Sequence, residues 1–538
     1  MAELRMVGPN TVITGWDFST GAVKCLAFDI EGNVLASSRF PTDLVYGDNS
    51  DPGAIELNLT QLEGQARATT RAIADQLRDL GRLKDWAVGG ISATHHTSGR
   101  IDHSGGQVRR AICWNDQTLG QWHAVGLARL GGQDAVRKLI GGPWAVRYSL
   151  SHLVKDEAKL SEKDWRRTAR IVCQGSLAAG FLTGYFDTIS VSGAASTGIM
   201  DLRTGEWRKE MLNALESPEL RELAWEQLPE IIDQNEPVGR LSDSLKSEIE
   251  WPETHLAPLI FPTSDDQQAG LIGGGAVEAG QMAIVLGNSA VVNSSSERIP
   301  DPSVALDAMA LNWGPYLLMR CYSNGAYFID RVMGKQVDYA YLESQARQVK
   351  PGANGHAILP FIVSEPSLGV NEPWLEWVGG AEPVEIGAKY RACLEALAFL
   401  IALGVEEHQK AGQEIRQITI SGGTSQSPLM CEILASTLNM PLKRLVSSEG
   451  PALGAAVTAL AALENYRRAH GANSFGDIPT LTAFPWLENS YAERPYSPAD
   501  AVRQMVQFRD TVEPNPNWVS IYQEKLRQFK SRINDKKG

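Results

Sequence analysis

The sequence predicts an α/β protein built from two domains, and three observations lead there. The chain has 538 residues, more than one hydrophobic core usually organises. Apolar stretches of strand length alternate with helical patterns and run out into clusters of small and polar residues, as in open α/β sheets that present side chains to ligands. One hairpin design also occurs twice. Ser19-Thr20-Gly21-Ala22-Val23 and Asn288-Ser289-Ala290-Val291 are each a small polar turn between apolar strands, which suggests a duplicated domain with a phosphate site between the copies.

Composition narrows the class. Hydrophobic residues make up 43% of the chain and charged residues 21%, a globular balance. The formal net charge of −13 argues against a broad basic face, so neither nucleic acid nor an anionic membrane is expected as a partner. The six cysteines, at 25, 113, 173, 321, 393 and 431, form no C-x-x-C pair. That is reduced, cytosolic usage. The first residues lack an apolar signal core, and the apolar run Ala396 to Val405 is too short to cross a bilayer, so a cytoplasmic location is expected.

The opening residues, Val12 to Phe40, read as three short strands joined by turns at Ser19-Thr20-Gly21 and Glu31-Gly32-Asn33. Asp17 stands where the first strand runs out. A carboxylate beside a turn of small residues suits a metal-bound phosphate, with Lys24 as counter-charge, although this segment alone is better read as an ordinary hairpin. Leu59 to Leu80 has the spacing of an amphipathic helix, and Val88 to Ala93 reads as a buried strand running into Thr94-His95-His96-Thr97. Adjacent histidines point apart on an extended chain, and no third ligand stands at a familiar metal spacing. Hydrogen bonding is therefore the preferred role for them.

A polar cluster follows at Ala111 to Thr118, then a mostly helical pattern from Trp122 to Thr183. Thr188 to Leu202, rich in Ser, Gly and Ala, reads as close packing of helix on sheet, and charged helical sequence continues to Glu250. At Pro258-Leu259-Ile260-Phe261-Pro262 an apolar strand stands between prolines, and the domain boundary is placed there. Asp265 and Asp266 open a small-residue run, either as a general-base loop or as a helix cap. Farther on, Ser323-Asn324-Gly325-Ala326 suggests a close-approach turn, and Tyr390 to Val405 a core helix. Ile418 to Ser427 reads as strand, glycine turn and helix start, suited to a planar ring or a phosphate, and Gly450 to Ala456 as a tightly packed helix. The tail from Tyr466 ends in an amphipathic helix, Ile521 to Ile533.

In order, these segments resemble the FGGY carbohydrate kinases from about Val12 to Leu463. Asp17-Phe18-Ser19-Thr20-Gly21-Ala22-Val23-Lys24 resembles their first phosphate motif, and Trp114-Asn115-Asp116 a segment of bacterial pentulokinases. Asp266-Gln267-Gln268-Ala269 is similar to the catalytic loop and Gly287-Asn288-Ser289 to the second phosphate motif. Ser421-Gly422-Gly423 with Gly450 to Ala456 is similar to the adenosine motif, and Tyr390 to Phe399 to a family helix. Four departures stand out: Asn288 where Thr is usual, Gln426 where Asn is common, Asp265 for a small residue before the catalytic Asp, and Ala93-Thr94-His95-His96-Thr97-Ser98-Gly99 for Gly-Gln-Met-His-Gly.

The resemblance implies two actin/hexokinase-like, ribonuclease H-like ATPase domains with a central interdomain cleft. Residues 1–258 would form the sugar-binding N-terminal domain, 259–466 the nucleotide-binding C-terminal domain and 467–538 a helical extension. It implies ATP and Mg²⁺, phosphoryl transfer to a terminal hydroxyl of a ketose, D-xylulose first among them, and it allows a homodimer. Asp266 would be the catalytic base and Asp17 would orient Mg²⁺. Sugar hydroxyls would meet Thr94, His95, His96, Asp116 and Asp266. ATP would contact Ser19, Thr20, Gly21, Lys24, Gly287, Asn288, Gly325, Gly422, Gly423 and Gln426. Other ketoses and polyols (ribulose, a hexulose, erythritol, glycerol) and a non-catalytic sugar- and nucleotide-binding regulator stay open as alternatives.

Overall fold

The computed structural model describes residues 7–48, 51–301, 304, 306–334, 337–379, 381–447, 449–470 and 495–537. They divide into two compact units, each assembled from separated stretches of chain. The first holds Met1–Gly273, Ala308–Tyr316 and Gly450–Val506; the second holds Gly274–Asp307, Leu317–Glu449 and Gln507–Gly538.

In the first unit, strands β1 (Val12–Phe18), β2 (Ala22–Phe28) and β3 (Val34–Pro41) form the expected antiparallel meander. Helix α1 (Leu59–Asp79) is capped by Asn58 and leads to β4 (Trp86–Ala93), which lies parallel to β1. Both central strands are buried along their whole length, as parallel strands covered on two faces must be. On the far side of β4 the sheet continues through β6 (Leu259–Ile260) to β5 (Gly239–Arg240), while β7 (Ser264–Asp265) pairs with the end of β4. The apolar strand between prolines thus belongs to the first unit. This unit runs on to Gly273, past the boundary expected at Pro258, because Leu259 and Ile260 pair with Val88 and Gly89.

The second unit repeats the frame. Strands β8 (Gln281–Leu286) and β9 (Ala290–Ser296) form the second hairpin, β10 (Tyr316–Tyr322) extends it on one side, and β11 (Gln417–Ser421) runs parallel to β8 on the other. Next come β12 (Leu442–Leu445) and the antiparallel β13 (Phe508–Val512).

Two findings depart from the expected division. Helix α9 (Gly450–His470), which the resemblance assigned to the nucleotide domain, packs in the first unit against β1, β4 and α4 (Asp266–Gly273). Its small residues explain this. A Cβ on Gly15 would stand 1.8 Å from the Ala452 carbonyl oxygen and one on Gly454 1.8 Å from that of Ala269, so backbone meets backbone at both places. Nor is the tail a separate extension. Helix α10 (Pro498–Met505) belongs to the first unit, whereas β13 and α11 (Pro516–Lys537) complete the second. Tyr522, Leu526, Phe529 and Ile533 enter the second core, and buried Arg391 of α7 (Ile386–Lys410) bonds both Glu395 and the Tyr522 hydroxyl. Residues 471–494 lie outside the described residues.

The middle of the first unit is also less helical than expected: Arg170–Cys173 is a strand, and short strands and turns interrupt the charged sequence before Glu250.

Candidate active site

The site in the first unit starts from strand register. Asp17 is opposite Ser92, and Ser264 and Asp265 are opposite Ser92 and Ala93 on the other flank of β4. Three parallel strands therefore end at one level, delivering Asp17, the Thr94-His95-His96 segment and the Asp265-Asp266 pair to the C-terminal edge of the sheet, where α/β proteins bind ligands. The Ser92 hydroxyl donates to Asp17 Oδ1 at 3.2 Å.

The two adjacent aspartates do different things. Asp265 is the N-cap of α4: its Oδ1 accepts the backbone N–H groups of Gln267 at 2.9 Å and Gln268 at 2.8 Å, and its Oδ2 accepts the Ser192 hydroxyl at 2.5 Å. Asp266 is the first residue of the helix, and its Oδ1 accepts the His95 N–H at 3.3 Å. Burial, then the charges of Asp265 and Asp17, push its carboxyl up to about 8. Asp266 is thus a proton-carrying group poised near neutral pH, which is how positioned bases are tuned.

His95 and His96 do not point apart. His96 adopts a left-handed backbone (φ 64°), which swings its ring onto that of His95, with centroids 3.8 Å apart and planes at 14°. Its other face stacks on Tyr148 at 4.4 Å. A histidine held at positive φ stores strain on the order of 1–3 kcal/mol, a feature that collects at functional sites. His96 Nδ1 lies 2.8 Å from the Ser196 carbonyl, and burial with the neighbouring His95 and Arg147 pushes its pKa well down. The ring is therefore neutral, Nδ1–H is the donor, and Nε2 keeps an accepting lone pair with no hydrogen-bond partner among the described residues.

Other expected residues have local tasks. Thr94 donates its N–H and its hydroxyl to the Phe18 carbonyl at 3.0 and 3.1 Å, tying β4 to the end of β1. Ser19 closes the first hairpin: its hydroxyl donates to the Ala22 carbonyl at 2.8 Å. Thr20 Oγ1 accepts from the indole N–H of Trp114 at 3.2 Å, nothing lies within 4 Å of a Cβ built on Gly21, and Lys24 stands opposite Asp17 in the β1–β2 register. Asp116 departs from its expected role. Its carboxylate accepts the Ile55 N–H at 3.2 Å, the Thr118 N–H and hydroxyl at 2.8 and 2.5 Å, and Lys155 Nζ at 3.4 Å, which makes it the anchor of its own loop.

Sequence reasoning missed Ser192, Ser196, Tyr148 and Asn312. The first two come from the Ser/Gly/Ala-rich segment read as plain packing, which contains a short helix α3 (Val191–Ala195). Asn312 accepts the Ser192 N–H at 2.8 Å and donates to the Thr263 carbonyl at 3.0 Å, bracing the loop that carries both aspartates. The Ser190 cap on α3 was the available signal for an ordered segment; Asn312 carried none.

In the second unit the Gly287-Asn288-Ser289 turn is backed by Gly325. A Cβ there would stand 2.4 Å from the Ser289 carbonyl carbon, and the Ala326 N–H donates to the Gly287 carbonyl at 2.8 Å. After β11, Gly422 sits at φ 90° against Leu286, and Ser427 caps α8 (Pro428–Leu438). Gly287, Asn288, Gly423 and Gln426 line a cavity of about 900 Å³, closed on other sides by Ile329, Tyr339, Arg347 and Tyr390. Its size falls within the range of small-molecule and cofactor pockets. Gly325 and Gly422 support its wall from behind.

Two family models match the chain: the N-terminal domain of the FGGY family of carbohydrate kinases over residues 12–273 and the C-terminal domain over 282–463. The protein belongs to this family, and its fold is the two-domain α/β ATPase fold of actin and hexokinase type. Among relatives, a xylulose kinase of Haemophilus influenzae is 25% identical over 378 residues, covering 69% of this chain and 74% of its own. A glycerol kinase of Clavibacter michiganensis is 24% identical over 532 residues, covering 94% and 98%. The crystal structure of a gluconate kinase from Lactobacillus acidophilus superposes with a TM-score of 0.80 at 18% identity, over 98% of each chain.

Proposed function

We propose that the protein is an ATP-dependent kinase that transfers the γ-phosphoryl group to the terminal hydroxyl of a free ketose, a pentulose such as D-xylulose. The observation that carries this reading is the division of labour between neighbouring carboxylates: Asp265 caps the helix through Oδ1 and holds the Ser192 hydroxyl through Oδ2, while Asp266 carries a raised pKa.

Transfer of this kind rests on positioning and charge neutralisation. Asp266 takes the proton of the attacking hydroxyl. The buried His96 Nε2 accepts a hydrogen bond from a second sugar hydroxyl, and the Thr94 oxygen and the His95 ring border the same substrate. Such a site rejects substrates that leave its buried polar atoms unpaired. Asp17, a hard oxygen donor only 6% exposed, fits Mg²⁺, which when bound with ATP neutralises phosphate charge. The Ser19–Gly21 backbone, Thr20 and Lys24 face the phosphates. The cavity of the second unit takes the adenosine, with Gly287, Asn288, Gly423 and Gln426 at its edge. The chain works in the cytoplasm, consistent with six free cysteines.

The glycerol kinase relative favours a second reading, a polyol acceptor. However, the family resemblance implies an Arg-Glu pair for a glycerol kinase, and this chain has stacked imidazoles at 95 and 96 instead. Comparing kcat/KM for D-xylulose, D-ribulose, L-ribulose, L-xylulose, D-fructose, erythritol and glycerol decides between them. A pentulose should rank first. Glycerol or erythritol above every ketose sinks the pentulose assignment, and nucleotide binding without turnover on any acceptor sinks the kinase.

A further inference from the structure

Two of the chain's departures from its family meet in space. His95 and Asp265 come from segments 170 positions apart in sequence, yet His95 Nδ1 lies 3.8 Å from Asp265 Oδ1. With Asp266 they form a group whose ligand atoms all lie within 4.8 Å of one another. The geometry points to a binding site for one divalent d-block cation, of the Zn²⁺, Co²⁺ or Mn²⁺ class, held by His95, Asp265 and Asp266 of the first unit.

Each ligand is oriented before any ion arrives. The His95 ring is fixed by its stack on His96, and that stack exists because His96 is kept in a left-handed conformation. Asp265 receives three hydrogen bonds, from two backbone N–H groups and a serine hydroxyl. A carboxylate has about four acceptor sites, and because Oδ1 already takes both backbone N–H groups, the one that remains for a metal is on Oδ2. Such supporting bonds are what aim metal ligands. Asp266 is tied to His95 through the backbone N–H, which keeps the carboxylate and the imidazole on adjoining positions. Beside them His96 adds a second buried imidazole nitrogen with no partner among the described residues. An imidazole with two carboxylates favours borderline d-block ions over Mg²⁺, which prefers oxygen ligands and retained water. This site is therefore distinct in chemistry from the Mg²⁺ that accompanies ATP.

Occupancy would also take Asp266 away from the sugar hydroxyl and make the ion an inhibitor competitive with sugar. This consequence rests on the kinase reading; the site itself does not.

The test uses tag-free, chelator-stripped full-length protein, with neither ATP nor sugar present. Co²⁺ is titrated and followed by its visible absorption bands and by calorimetry. One equivalent should bind, resist millimolar Mg²⁺, and weaken by about tenfold or more in His95→Gln and in Asp265→Asn. Asparagine also caps helices, so the second variant keeps the fold. His103→Gln, at an exposed position, should bind like the wild type. In parallel, Zn²⁺ should raise the melting temperature of the wild type and not that of His95→Gln. Equal Co²⁺ affinity in wild type and His95→Gln, or displacement by equimolar Mg²⁺, overturns the site. Co²⁺ binding without inhibition of sugar phosphorylation sustains the site and counts against Asp266 as the base.

Discussion

The two hairpins make the most instructive comparison in the molecule. Both are antiparallel, and both lie beside a parallel strand from later in their unit, β4 for the first and β11 for the second. What stands at the strand ends differs. The first unit brings Asp17, Asp265, Asp266 and two stacked imidazoles to its sheet edge. The second brings Gly287 and Gly422, with Gly325 pressed against the turn from behind. One frame thus presents carboxylates and imidazoles at its edge, and the other presents bare backbone, a split that matches the sugar and nucleotide roles proposed above. A duplicated topology supplies equivalent edges; the residues placed there divide the work.

The comparison breaks most visibly if the carboxylates of the first unit prove dispensable. Asp266→Asn should lower kcat by roughly 10²- to 10⁴-fold, while Asp265→Asn, which keeps the helix cap, should do far less. The reverse ranking in steady-state assays would exchange their roles. Asp17→Ala should reduce Mg²⁺-dependent turnover by on the order of 10²-fold and leave sugar binding by calorimetry intact. Full activity at saturating Mg²⁺ and ATP would reduce the first hairpin to a structural turn.

A third prediction concerns pH. Because the folded-state pKa of Asp266 is raised to about 8, the base is mostly protonated below that pH. A pH series of kcat/KM for the sugar should therefore climb about tenfold per unit toward pH 8 and then level. The stability effect has the opposite sign: the folded protein holds a proton that the unfolded chain releases above its ordinary carboxylate pKa. Stability from this group therefore falls as pH rises from about 4 to about 8. Asp266→Asn removes that penalty, so its gain in melting temperature should be larger at pH 8 than at pH 5. The smallest effect belongs to the second unit. Gly325→Ala forces a Cβ into the Ser289 backbone and should raise the KM for ATP about tenfold while the KM for sugar stays put.

How much of this was legible follows from what each feature depends on. Strand, turn and strand at residues 12–41 and 281–296 are local, set by alternation and turn residues, and they appear where the sequence puts them. The run Gly450 to Ala456 announces close packing but not its neighbour. Only the folded chain shows that Gly15 and Ala269 are among the neighbours. The histidine pair was misjudged for a backbone reason: the argument that adjacent side chains diverge holds for extended residues, and His96 is not extended. Asp116 looked like a pocket residue because its motif did. Lys155, whose charge holds that carboxylate in its loop, is 39 positions away.

The interleaving of the units bears on how the protein can be made. Helix α9, which fills the backbone-to-backbone contact on β1 and β4, is translated long after those strands, and β13 and α11 follow later still. A nascent chain that has just passed residue 273 carries the whole mixed sheet of the first unit with one face lacking the cover of α9. An expression fragment cut at the family-model boundary near 273 would keep that bare face and should aggregate, and appending residues 450–506 through a linker should rescue it.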